Sequence, residues 1–225
     1  MGKVTKSCKW KQYTWGDFRL LSKFLNRDVL IVTPYRGRED GLRSLLQYYY
    51  NNYPINFTWL LIEQDNTYLF NIGKLLNIGF LLSRLDNFIY FFHPLDGRFG
   101  EIKYLDNFDI IGYTEPNGFY PKTFLYDSNT YRKLNGINIL YEGWGTEDDD
   151  LFVKCSLTNT KLDKVECGSY DPNDNKNRVR LANHKEIIER TIKEKNIFHN
   201  GLDITGFKIN SISKLSYLTH YKVTW

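Results

Sequence analysis

The chain has few cysteines, no long apolar run and no strong charge of either sign, and each scarcity narrows what it does. Its three cysteines, Cys8, Cys155 and Cys167, form an odd set without a short metal-ligand spacing. That pattern reads as reduced thiols in a reducing compartment, with a single Cys155–Cys167 bridge as the alternative. No stretch approaches the roughly 20 apolar residues that span a bilayer. The opening MGKVTKSCKWKQY is polar and basic without a signal-peptide core, and Lys6 stands where a myristoylation signal behind Gly2 wants Ser or Thr. The expectation is a cytoplasmic chain with no transmembrane segment. Its 30 basic and 26 acidic residues leave a formal charge of +4, scattered along the chain. No nucleic-acid partner is expected from so mild a balance, and a phosphate-bearing small ligand suffices to explain it.

What is present is enough for a core. At 225 residues, 42% hydrophobic and 16% aromatic, the chain fits one folded domain. Three apolar runs, Val29 to Val32, Trp59 to Ile62 and Phe88 to Phe92, recur at about 30-residue spacing, that of strand–helix–strand units. Between the first two, Leu42, Leu45, Leu46 and Tyr49 repeat at helical spacing behind Glu39-Asp40; between the next two, Ile72, Leu75, Leu76 and Gly79 do the same. The pattern predicts an α/β fold, Rossmann-type, with a mainly parallel sheet covered by helices on both faces. Residues 1–27 read as an N-terminal appendage and 28–225 as the functional domain. A helix is expected near His184 to Lys195, and edge strands at the alternating end around Ile212, Leu215, Leu218 and Val223.

Ligands of such sheets gather at the carboxyl ends of the strands. Pro34-Tyr35-Arg36-Gly37-Arg38 follows the first strand and offers two guanidinium groups and a flat ring to a nucleoside diphosphate, unless the arginines simply pair with Glu39 and Asp40. Phe70-Asn71-Ile72-Gly73-Lys74 opens the second helix, where an amide, backbone N–H groups and a lysine can face an anion; Asn71 as a plain N-cap explains half of this. His93 to Arg98 follows the third strand, and Asp96 there is either a cation ligand or a turn residue before Gly97. The most informative stretch is Gly143-Trp144-Gly145-Thr146-Glu147-Asp148-Asp149-Asp150. Thr146 reads as an N-cap and the acids as first-turn residues, yet four carboxylates exceed what capping needs. A Trp between glycines suits a mobile flap over a sugar face, and a neighbouring carboxylate can take a proton from an attacking hydroxyl. His184 and His199 read as surface residues.

PYRGRE, FNIGKLLNIGF and EGWGTEDDD, in this order, resemble the β-1,4-galactosyltransferase family from about Asp28 to His184. The resemblance implies a GT-A fold, a UDP-sugar donor, a glycan acceptor, manganese, and inversion at the anomeric carbon. By position, Pro34, Arg36 and Arg38 would line the uridine and diphosphate site, with Phe70 and Asn71 beside the base and Trp144 as the flap indole. Thr146, Glu147, Asp148 and Asp149 would hold the acceptor sugar, with Asp148 as general base. The family's Asp-x-Asp becomes Pro94-Leu95-Asp96, so Asp96 alone survives as a metal ligand, and the family's metal-binding His falls at Gly168 or Ser169. Weak manganese binding follows, with Arg98 or Lys122 offsetting the diphosphate charge instead; Lys122 replaces part of a Gly-Gly pair beside the donor sugar. The alternative is a pseudoenzyme that holds a sugar nucleotide or glycan without turnover.

Overall fold

Strand-forming apolar runs and amphipathic helices alternate where the spacing predicts them. The computed structural model describes residues 11–14, 29–52, 58–83, 89–98, 101–104, 108–114, 116, 121–166, 169–170, 181–195, 200–214 and 218–225. In chain order the elements are β1 (Lys11–Thr14), β2 (Val29–Tyr35), α1 (Glu39–Asn52), β3 (Thr58–Gln64), α2 (Ile72–Ser83), β4 (Ile89–Phe92), β5 (Gly97–Arg98), β6 (Glu101–Tyr104), β7 (Ile110–Thr114) and β8 (Thr123–Asp127). They continue with α3 (Ser128–Lys133), α4 (Glu147–Thr158), β9 (Leu162–Glu166), β10 (Ser169–Tyr170), α5 (His184–Glu194), a 3-10 turn (Leu202–Ile204), β11 (Lys208–Lys214) and β12 (Leu218–Thr224).

Eight strands form one sheet in the order β11-β12-β3-β2-β4-β8-β7-β9. The pairings β12·β3, β3·β2, β2·β4 and β7·β9 are parallel, and the other three are antiparallel. Helices cover both faces. α1 buries Leu45 against Ile31, Trp59, Leu61 and Phe91 on one face, and α2 buries Leu75, Ile78 and Phe80 against Leu30, Val32, Leu60 and Ile62 on the other. Gly79 permits that approach, since a Cβ there would stand 2.4 Å from Val32 Cγ1. The end of the chain departs from expectation. β11 is an edge strand, but β12 lies inside the sheet because Leu218 and Val223 each enter the core of a different face. Lys11–Thr14 of the expected appendage pairs antiparallel with Glu101–Tyr104. Cys155 is a buried free thiol, and Cys8, Cys167, Gly168 and His199 lie outside the described residues. Among the described residues, no helix is long and apolar enough to cross a membrane.

β3 and β4 flank β2 on opposite sides, so the connections leaving β2 and β3 run in opposite directions across the sheet. A crevice opens at such a switch point, outside the carboxyl ends of the strands. The antiparallel register Phe92↔Phe124 brings the residues just before β8 to the same crevice.

Candidate functional site

A cleft of about 720 Å³ occupies that crevice, within the range of small-molecule sites. Pro34, Arg36 and Arg38 come from the end of β2, Phe70 from the start of α2, His93 to Asp96 from the end of β4, and Pro121, Lys122, Phe124 and Tyr126 from β8 and its approach. Gly143 to Asp149 complete the lining, so the two arginines and Asp148 border one cavity. Arg36 donates to the Tyr68 carbonyl and its guanidinium lies 5.5 Å from the centre of the Phe70 ring, with burial lowering its pKa. Arg36, Arg38 and Lys122 are the cations of the lining; Asp96, Glu147, Asp148 and Asp149 are its carboxylates. His93 adds no charge near neutrality, because burial pulls its imidazole down to about 3, while Nδ1 sits 2.7 Å from the Pro94 carbonyl.

The acidic flap is built from a strained entry and a buried anchor. Gly143, Gly145 and Thr146 have φ of 83°, 86° and 81°. Thr146 takes the N-cap position that its residue type suggests, but at this φ its side chain makes no capping bond and turns to His184. The Gly143 N–H donates to the Phe70 carbonyl at 2.8 Å, joining the flap to the β3–α2 loop. Trp144 is 44% exposed along the cleft edge, while Glu147, Asp148 and Asp149 are half-buried. The fourth acid differs. Asp150 is buried and accepts from Tyr141 Oη (3.1 Å), Thr191 Oγ1 (3.2 Å) and Asn138 Nδ2 (3.5 Å), so it holds the fold and does not line the cleft.

Several residues proposed for the donor stand elsewhere. Tyr35 points into the core of the other sheet face, its ring edge-on to His220 at 6.2 Å. Asn71 is buried in the wall: Oδ1 accepts from the Lys74 N–H at 2.8 Å, the N-cap bond of α2, and Nδ2 donates to the Ile139 carbonyl at 2.7 Å. Lys74 lies over the Trp225 ring at 4.7 Å, away from the lining. Arg98 is also outside it; Nη1 donates to the carbonyls of Leu95 (2.7 Å) and Gly97 (2.8 Å) and Nη2 to Ser44 Oγ (3.1 Å), which braces the Asp96 turn. His184, read as a surface residue, is buried beneath the flap. Asn77, within KLLNIGF, bonds Ile137 through both carbonyl and N–H and also Tyr131 and Thr205, so this motif secures the segment that leads to the flap.

The described residues do not by themselves make up a donor set for manganese. Among the described residues, no three His, Cys, Asp or Glu side chains come together to hold an ion. Ser169, one of the two positions at which the family's metal-binding His falls, pairs in register with Arg98. Mn²⁺ wants about six oxygen-rich ligands, and one carboxylate falls short of that.

Tyr126 carries an unexplained hydroxyl. It lines the cleft and is fully buried, and its Oη has no hydrogen-bond partner among the described residues. An orphaned buried hydroxyl costs about 1–3 kcal/mol, so Tyr126→Phe is expected to leave the ligand-free protein at least as stable, with a gain of up to about 1 kcal/mol in urea melts. A loss larger than about 1 kcal/mol would mean that the hydroxyl is satisfied in solution.

Residues 12–97 match the model of the N-terminal region of glycosyl transferase group 7, and residues 114–185 that of the N-terminal domain of galactosyltransferase. Human beta-1,4-galactosyltransferase 2 is 30% identical over 162 residues, 63% of this chain and 44% of that protein. Mouse beta-1,4-galactosyltransferase 5 is 24% identical over 206 residues, 81% of this chain and 52% of its own length. The chain thus spans about half the length of these relatives. The catalytic domain of Drosophila beta-1,4-galactosyltransferase 7, solved with xylobiose, superposes with a TM-score of 0.70 at 18% identity, over 88% of this chain and 94% of that one. A mutant of that enzyme in complex with manganese, UDP-Gal and xylobiose gives 0.71 at 17% identity over the same shares. Both place the fold in the GT-A class.

Proposed function

Because the chain belongs to the group 7 family of galactosyltransferases, we propose that it moves a hexose from a UDP-sugar to a glycan hydroxyl with inversion, using Asp148 as general base. The observation that carries this reading is the meeting of Arg36 and Arg38 with Asp148 around one cleft of family fold. Asp148 takes the proton of the acceptor hydroxyl, whose oxygen attacks the anomeric carbon. The bond from that carbon to the diphosphate breaks, and its electron pair leaves with UDP. Arg36, Arg38 and Lys122 meet the growing negative charge, Phe70 and Pro34 flank the uracil, and Trp144 covers the sugar while Thr146, Glu147 and Asp149 hold the acceptor. Holding both reactants aligned supplies much of the rate. No step is assigned to a metal, since the described residues do not make up its donor set.

The second reading, a pseudoenzyme that binds a sugar nucleotide, draws support from that same incomplete set. Titration with UDP, UDP-galactose, UDP-glucose and their N-acetyl forms, with manganese or with chelator, tests the first step of both. UDP is expected to bind under either condition, and Arg36→Ala or Arg38→Ala to weaken it by about tenfold or more, the worth of a charged hydrogen bond. A parent chain without affinity for any of these nucleotides would end both readings.

A further inference from the structure

We propose that His184 is the latch that sets the flap and, through it, positions Asp148. Its imidazole spans the base of the loop. Nε2 lies 2.9 Å from the Glu142 carbonyl and Nδ1 lies 3.4 Å from Thr146 Oγ1, one contact on each side of Gly143-Trp144-Gly145. A single neutral tautomer serves both contacts: Nε2–H donates to the carbonyl, and Nδ1 accepts from the threonine hydroxyl. The ring is 2% exposed and stands edge-on to Tyr141 at 5.3 Å, so its orientation is fixed by packing as well.

The loop needs such a clasp. A β-branched residue at φ 81° is strained and persists only where its surroundings over-determine it. Thr146 is over-determined from two sides, by His184 at its hydroxyl and by the Asp150 N–H, which donates to its carbonyl at 2.9 Å. The second bond opens the first turn of α4, so the orientation of Thr146 sets where Asp148 and Asp149 project. His184 does not line the cleft and acts through its neighbours, as a positioning residue. Its catalytic consequence rests on the transferase reading above; the latch itself does not.

Three variants of the full chain test it by amide hydrogen exchange and by transfer kinetics. His184→Leu, which lacks both contacts, is expected to speed exchange at residues 143–148 and to lower kcat by about tenfold each, with UDP affinity within about twofold of the parent. His184→Gln supplies one donor and one acceptor and is expected to restore most of both. Thr146→Val keeps the β-branch, loses one contact and is expected to speed local exchange by about threefold or more. Parent-like exchange at 143–148 in both His184→Leu and Thr146→Val overturns the latch. Faster exchange spread over the whole sheet, unrelieved in His184→Gln, overturns it as well by making His184 a general core residue. If the parent binds no UDP, the transferase reading fails while the exchange rates still decide the latch.

Discussion

Asp148→Asn is expected to cut transfer by about 10²–10⁴-fold while UDP-sugar affinity stays within about twofold of the parent, because a general base contributes on that scale. The amide matches the carboxylate in size, so the half-buried first turn of α4 keeps its packing, but it offers the acceptor hydroxyl no basic oxygen. Loss is expected in kcat. Glu147→Gln and Asp149→Asn, which leave the base in place, are expected to act mainly on the acceptor KM. Single-turnover rates beside equilibrium titration of UDP-galactose separate the two classes of effect. Unchanged turnover in Asp148→Asn would remove Asp148 from the chemistry. Nucleotide binding by a parent that turns over no sugar would favour the pseudoenzyme.

The regular half of the fold was legible because local pattern and tertiary burial agree there. Leu45, Leu75 and Leu76 sit at helical spacing and reach the core, and the three apolar runs are neighbouring parallel strands. The cleft followed from that, since Pro34, Arg36, Arg38, Phe70, Leu95, Asp96 and Trp144 all stand at strand ends or on the flap. Tyr35 was misplaced because β2 runs on to residue 35, three residues beyond its apolar run. Alternation then sends Tyr35 to the face of Ile31, opposite Pro34. Asn71 failed for a different reason: capping and ligand binding ask for the same residue type at the same helix start, and only the contact to Ile139 decides between them. The positive φ of Thr146 and the burial of His184 left no local trace. Threonine avoids that region on its own, and what holds it there arrives from a helix 38 residues away. The inward turn of Asp150 could have been read, since it stands four residues before Lys154 and next to Leu151 on the buried side of α4.

That buried side predicts the largest stability effect. Lys154 is 2% exposed, its Nζ donating to the carbonyls of Gly136 (3.0 Å) and Leu134 (3.2 Å), and it acts electrostatically on Asp150 one turn before it. Burial lowers the lysine's pKa and raises the carboxyl's, and each charge opposes the shift of the other. Removing one of two coupled buried charges leaves the other less compensated, a loss that reaches about 3–5 kcal/mol where the two are in direct contact, whereas replacing both with apolar residues of similar volume is often close to neutral. Lys154→Met is therefore expected to lose about 3 kcal/mol or more, as it also strips two carbonyls of their donor. Asp150→Asn is expected to lose less, because the amide keeps an oxygen for Tyr141 and Thr191 and the lysine keeps its carbonyls. Urea midpoints of the two singles and of Lys154→Met with Asp150→Leu give the comparison; a Lys154→Met cost below about 1 kcal/mol would show that the ammonium is hydrated in solution. Because Asp150 ties α4 to Tyr141 and to Thr191 of α5, and Lys154 ties it to the turn after α3, Lys154→Met is also expected to loosen the frame beneath Asp148, with kcat falling at temperatures where the variant is still folded.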